Sequence, residues 1–225
     1  MTSFNLADLY EAVSDAIPER EALVCGERRL TYRQLDERAT RLANYLLKHG
    51  VKKGDHIGLY LYNGTEYIEG SLAAYKIGAA AININYRYVE EELAYLFDNS
   101  DIVALVHHRE FAPRIAPVVA KMPRLKLFVS VEDGSGEDLS ETGSADYEAA
   151  LAASSPERGF EQRSGDDVYI LYTGGTTGMP KGVMWRHEDL FFSALMGANP
   201  YGPPPERPEQ VAESAATRGV VCSLP

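Results

Sequence analysis

His56-Ile-Gly-Leu-Tyr-Leu-Tyr62 opens a stretch, running to Val131, whose rhythm decides the fold. The apolar run at 56–62 reads as a strand. A helical pattern follows at 66–77, a strand at 80–84, a helix at 89–97, a strand at 102–106, a helix at about 111–122 and a strand at 126–131. Apolar runs of five to seven residues, alternating with amphipathic segments of about ten, are the pattern of βαβ units. The expected fold class is therefore α/β, with mainly parallel sheet layers, helices on both faces and right-handed crossovers. Pro117 falls inside the last helix and should kink or shorten it.

Toward the N-terminus, Leu6, Leu9, Tyr10, Val13 and Ile17 recur at helical spacing, with acids on the opposite face and Pro18 as the stop. Residues 22–25 and 28–30 flank Gly26-Glu27 and read as a small hairpin. Thr31 and Gln34 have capping-box spacing. Leu35, Ala39, Leu42 and Leu46 mark the buried face of the helix they start, and Lys48-His49-Gly50 ends it. In the other direction, residues 132–145 are Gly, Ser and acid, a flexible surface loop. A short helix is expected at 147–152. Beyond Trp185, a helix at 188–196 should bury Leu190, Phe191 and Leu195, residues 200–208 form a proline-rich exposed loop, and 220–222 begin a buried strand.

The chain has 225 residues, enough to bury about 70% of the surface its unfolded form exposes without covalent staples. Thirty-three acidic against 22 basic residues give a formal charge of −11, which repels nucleic acid and anionic membrane surfaces. Cys25 and Cys222 stand far apart with no Cys or His at metal spacing, as expected in a reducing compartment. The opening residues lack a basic start and an apolar block, and the apolar stretch at 71–84 is short and carries Lys76. The expectation is a cytoplasmic protein with no membrane span and no nucleic-acid partner.

The chemistry is concentrated in Tyr169-Ile-Leu-Tyr-Thr-Gly-Gly-Thr-Thr-Gly-Met-Pro-Lys-Gly-Val-Met-Trp185. It reads as strand, anion-gripping loop, strand. Glycines let the backbone approach an anion, and three threonines and a lysine surround it with donors. A Walker A loop needs Gly, four residues, then Gly-Lys-Ser/Thr before a helix. Here Met179 or Pro180 falls where the second glycine must stand, and Lys181 is followed by Gly182 and a strand. A dinucleotide fingerprint fails as well.

The run Tyr172-Thr-Gly-Gly-Thr-Thr-Gly-Met-Pro-Lys-Gly-Val183 resembles the signature of the AMP-forming acyl-CoA synthetases and their adenylate-forming relatives. Gly174 stands where the commoner form of the motif has Ser, and His187 and Leu190 fit the usual spacing after it. The resemblance implies the large N-terminal domain of the adenylate-forming fold, of which residues 1–225 would be an incomplete N-terminal part, with the C-terminal remainder absent. It implies ATP, Mg²⁺ and coenzyme A as cofactors and co-substrates. The substrate would be a carboxylic acid, of the fatty or steroid-derived type suggested by the Met184–His187 run. A homo-oligomer is compatible with it.

By the same resemblance, the carboxylate attacks the α-phosphate of ATP and a thiol then displaces AMP. Thr173, Gly174, Gly175, Thr176, Thr177, Gly178 and Lys181 would bind the nucleotide. Lys181 would be the catalytic cation that neutralises departing pyrophosphate, and Thr173 would stand beside Mg²⁺. The chain alone is expected to be inactive. An acyl-AMP ligase that loads a carrier protein and a non-catalytic nucleotide-binding module remain open as alternatives.

Three further features, His187, Trp185 and the Asn83–Arg87 stretch, are read as structural. His187, at the expected start of a helix, should be a neutral imidazole accepting from backbone N–H groups, and Trp185 should pack the sheet. Asn63-Gly64-Thr65 and Asn83-Ile-Asn-Tyr-Arg87 follow strand ends, where open α/β sheets place ligands. Helix capping by Asn and pairing of Arg87 with Glu90 or Glu91 explain the second more simply.

Overall fold

A computed structural model describes residues 3–173, 179–199 and 202–217. Helix α1 (Leu6–Ala16) starts at Asn5, whose side chain accepts from the Ala7 amide. The hairpin β1 (Glu21–Cys25) and β2 (Arg28–Thr31) leads into α2 (Tyr32–Lys48). There the capping box is complete: Gln34 N donates to Thr31 Oγ1 at 3.2 Å, and Thr31 N to Gln34 Oε1 at 2.9 Å. The alternating segment follows as β3 (His56–Tyr60), α3 (Thr65–Lys76), β4 (Ala80–Asn83), α4 (Glu90–Asn99), β5 (Ile102–His108), α5 (Ala112–Val119) and β6 (Leu127–Val131). With Pro113 in its first turn and Pro117 within, α5 is shorter than its apolar pattern.

Three elements beyond β6 are missing from the sequence reading or misplaced in it. The loop at 132–144 closes on a two-residue strand, β7 (Ala145–Asp146), which pairs parallel with β6 before α6 (Tyr147–Ala152). After β8 (Val168–Thr173) and β9 (Lys181–Arg186), α7 (His187–Ser193) stops three residues short of the expected end. Phe191 is buried as expected, but Leu195 lies beyond the helix and is 48% exposed. The proline-rich stretch gives way to an unforeseen helix, α8 (Glu209–Thr217), which lies against α1 and receives a hydrogen bond from Arg20 Nη1 on the Ala215 carbonyl at 3.0 Å. The strand expected at 220–222 lies outside the described residues.

The main sheet has seven strands in the order β7-β6-β5-β3-β4-β8-β9. It is parallel from β7 to β8, and only β9 runs antiparallel. One face carries α1, α2, α3 and α6 over Ile57, Leu59, Ala104, Val106 and Val129. The other carries α4 and α5 over Tyr60, Ile82, Leu105 and Phe128. Successive strand residues point to opposite faces, so strands covered on both sides are mainly apolar, with His107 on β5 and Ser130 on β6 as buried polar exceptions. Gly58 sits where a Cβ would come within 2.8 Å of Ile84 Cδ1 and Leu105 Cδ1; its absence lets those side chains meet across the centre.

The face of α1 is not the one its apolar spacing implies. Glu11 is buried, and its carboxylate takes a hydrogen bond from the fully buried Lys76 Nζ at 2.6 Å. Lys76 also reaches Asp36 Oδ1 at 2.7 Å. The same acids bind Arg163 and Arg158 from the connection between α6 and β8: Arg163 Nη2 meets Glu11 Oε2 at 2.5 Å, and Arg158 Nη2 meets Asp36 Oδ2 at 2.8 Å. Buried charges persist only when paired and hydrogen-bonded. This network fastens the segment that delivers the chain into β8.

Candidate active site

Strands β8 and β9 form a hairpin at the C-terminal edge of the parallel sheet. Their register runs from Val168 opposite Arg186 to Thr173 opposite Lys181, so Thr173 and Lys181 are the last facing pair before the turn. Both are exposed. The pair therefore places a hydroxyl and an ammonium opposite each other at the last rung before the turn. Gly174, Gly175, Thr176, Thr177 and Gly178 lie outside the described residues.

The hairpin overhangs its neighbour. β4 ends at Asn83, and its pairing with β8 is in register only at Ile82 and Ile170. All six residues of β9 are exposed, Trp185 at 43% and Met184 at 65%. The expectation that Trp185 packs the sheet is therefore corrected: among the described residues β9 is the edge strand of the sheet, and Trp185 lies on it uncovered.

The outer end of the hairpin is held instead by α4. The Tyr95 hydroxyl donates to the Pro180 carbonyl at 3.1 Å, and the Tyr172 hydroxyl to Asn99 Oδ1 at 2.9 Å. The Tyr172 ring lies over Gly182, where a Cβ would come within 3.0 Å of it. Burial, then the neighbouring Tyr95 and Asp101, hold the Tyr172 phenol above its ordinary pKa, so it stays a donor. Sequence reasoning missed Tyr95 and Asn99, since their partners are 85 and 73 residues away.

His187 begins α7 with 0% exposure. Its Nδ1 accepts from the Leu6 amide at 3.3 Å, and its ring meets Tyr75 edge-on at 4.9 Å. Burial is the main cause that lowers its pKa to about 4, so it is neutral at physiological pH. It therefore accepts from a backbone N–H, as expected, but from the first turn of α1 rather than of its own helix. Arg186 is equally committed, with Nε on Asp189 Oδ2 and Nη1 on Asp166 Oδ1, each at 2.7 Å.

Beside the hairpin, a cleft of about 310 Å³ opens at the C-terminal ends of β3, β4 and β8, lined by Asn63, Tyr67, Asn83, Asn85, Tyr86 and Tyr172 among others. The structure thus brings together the two Asn-bearing segments. The capping account of the second needs correction. Asn85 Oδ1 accepts from the Arg87 amide at 3.0 Å in an Asx turn, and the Arg87 guanidinium lies 5.5 Å from the Tyr86 ring centroid. The Val89 amide at the start of α4 is capped by Glu92 at 3.2 Å, and Glu90 pairs with Lys121.

Among the described residues, no group of three or more His, Cys, Asp or Glu could hold a metal ion. At the mouth of the hairpin the donors are Thr173 and Lys181, one neutral oxygen and one cation. Divalent magnesium takes carboxylates and phosphate oxygens, so these two residues do not make a site for it by themselves.

Residues 10–216 match the AMP-binding enzyme family, and the chain belongs to it. It is 57% identical over 189 residues to a 3-oxocholest-4-en-26-oate–CoA ligase of Rhodococcus rhodochrous, covering 84% of this chain and 34% of the relative. It is 48% identical over 225 residues to a medium/long-chain-fatty-acid–CoA/3-oxocholest-4-en-26-oate–CoA ligase of Mycolicibacterium smegmatis, covering 99% of this chain and 41% of the relative. The fold is also that of the anthranilate CoA ligase AuaEII, solved with anthranoyl-AMP, at a TM-score of 0.79 and 26% identity over 88% of this chain and 38% of that one. The chain thus spans about a third of the length of the first of these curated relatives and about two fifths of the second. No helix among the described residues is long and apolar enough to cross a membrane.

Proposed function

We propose that the protein carrying this chain is an ATP-dependent acid–CoA ligase, and that residues 1–225 are the front part of its adenylation domain. The observation that carries the reading is the hairpin, which presents Thr173 and Lys181 as a facing pair at the two ends of the signature loop. In the first step an oxygen of the substrate carboxylate attacks the α-phosphorus of ATP, and the bond to the bridging oxygen of pyrophosphate breaks. In the second a thiol attacks the acyl carbon and AMP leaves. Neither step needs a covalent protein intermediate, so catalysis is positioning and charge stabilisation.

Lys181 supplies the cation that offsets charge building on the departing pyrophosphate. The loop from Gly174 to Gly178 binds the β- and γ-phosphates, and charge-assisted hydrogen bonds of that kind are each worth about 1.5–3 kcal/mol. Mg²⁺ would arrive with the nucleotide and neutralise phosphate charge, with the Thr173 hydroxyl beside it. His187 is not the base, because it is buried, neutral and already bonded, and a carboxylate is ionised at pH 7 without help.

The acid is proposed to be fatty or steroid-derived, supported by the names of the two curated relatives. A cytoplasmic location follows from the use of ATP and CoA. The test is to incubate the full-length protein with ATP, Mg²⁺, CoA and either 3-oxocholest-4-en-26-oate or a medium-chain fatty acid. AMP, pyrophosphate and the acyl-CoA should form in equal amounts. Release of AMP only when a carrier protein replaces CoA would overturn the CoA assignment, and absence of AMP with every acid would overturn the enzyme reading.

A further inference from the structure

Among the described residues, the sheet itself secures little of the hairpin that bears the signature loop. β9 is exposed along its length, and β8 extends three residues past Ile170, its rung with β4. A two-stranded ribbon is marginally stable unless something packs against it. The side-chain hydrogen bonds described at its outer end come from one element. Tyr95 and Asn99 lie four residues apart on α4, hence on one helix face. Tyr95 grips the strand leaving the turn, through the Pro180 carbonyl next to Lys181. Asn99 grips the strand entering it, through the hydroxyl of Tyr172 next to Thr173.

The helix is a firm reference. Leu93, Leu96 and Phe97 are buried to within 2% over the sheet, and Tyr95 packs against the same cluster. The two grips are joined within the ribbon, because the Tyr172 ring lies over Gly182, its cross-strand partner. A shift of either strand therefore strains both contacts.

We propose that Tyr95 and Asn99 are positioning residues for ATP: acting through Pro180 and Tyr172, they set the spacing and height of the Thr173–Lys181 pair without touching the nucleotide. This rests on the nucleotide-binding reading of the hairpin. It predicts an effect on the first half-reaction alone, since the polyphosphate is present only there.

The test uses Tyr95→Phe and Asn99→Ala in the full-length protein, read in two ways. Amide hydrogen exchange on the free protein reports the clamp itself. Each variant should exchange faster in peptides spanning 171–173 and 181–183, with 56–60 and 102–108 unchanged. Kinetics report its purpose. In pyrophosphate–ATP exchange each variant should show a KM for ATP raised about three- to tenfold, the effect of losing one neutral hydrogen bond. Thioester formation from preformed acyl adenylate and CoA should be unchanged.

Unchanged hydrogen exchange in the hairpin would overturn the clamp. Faster exchange with an unchanged KM for ATP would show that the clamp serves stability and not nucleotide placement, which also overturns the proposal. If the unmodified protein catalyses no pyrophosphate–ATP exchange with any acid, the functional reading fails and takes the ATP role with it, whatever hydrogen exchange shows.

Discussion

The ammonium of Lys76 lies 2.6 Å from the carboxylate of Glu11, in a site where the lysine has no exposed surface. One charge comes from α3 and the other from α1, and Asp36 of α2 completes the site, so three helices of one face are tied at a single buried cation. Arg163 and Arg158 extend the tie to the connection that enters β8. Breaking a buried pair by removing one partner commonly costs about 3–5 kcal/mol, because the other charge is left uncompensated. Both arginines remain here to hold the acids, so Lys76→Met should fall at the lower end, about 3 kcal/mol.

By contrast Arg33→Ala, which removes a pair with Glu19 on open surface, should cost no more than about 1 kcal/mol. Urea unfolding of the three proteins, compared by midpoint at equal slope, checks both figures. Equal effects of the two substitutions would show that the buried network contributes nothing special.

Two buried histidines make stability depend on pH in a defined window. His107 and His187 each have their pKa lowered to about 4, chiefly by burial. An unfolded imidazole titrates near 6.5, so below that pH the unfolded chain binds protons that the folded chain refuses. The stability each neutral ring contributes is complete above about pH 6.5 and is lost as pH falls toward 4, by at most about 3 kcal/mol per residue. The depressed carboxylate of Glu11 acts lower, its contribution falling away only below its ordinary value of 4.5. Unfolding midpoints should therefore drop between pH 6.5 and 5, and His187→Asn should flatten part of that slope. A midpoint constant across this range would contradict the burial account.

Much of this architecture is legible in the sequence because it is local. The strands from β3 to β6 follow their apolar runs to within two residues, and α2 announces itself through Thr31 and Gln34. What escaped depends on contacts distant in the chain. The buried side of α1 contains Glu11, which no apolar periodicity marks, because its partner Lys76 is 65 residues away. β7 is two residues long and exists through its pairing with β6. α8 carries alanines and a single valine behind a proline run, too weak a stripe to be seen without α1 beside it. The site was half legible: the motif marked Thr173 and Lys181, while Tyr95 and Asn99 became visible only once α4 was placed against the hairpin.

Residues 1–225 alone should bind ATP weakly, because in the proposed reading the hairpin addresses phosphates rather than the base or ribose. Calorimetry should give a dissociation constant weaker than about 1 μM, equivalent to roughly −8 kcal/mol, and no pyrophosphate–ATP exchange with any carboxylic acid. Tighter binding would mean that base and ribose contacts already reside in this chain.

The role of Lys181 is the centre of the account, and Lys181→Ala in the full-length protein tests it through the two half-reactions. Pyrophosphate leaves only in the first. Loss of the cation should slow adenylate formation by about 10²–10³, as when one preorganised electrostatic group is removed. Thioester formation from preformed acyl adenylate and CoA, measured on the same preparation, should proceed at close to the unmodified rate. Equal slowing of both half-reactions would contradict the account, because the lysine would then be holding the shape of the hairpin and not the charge of the leaving group.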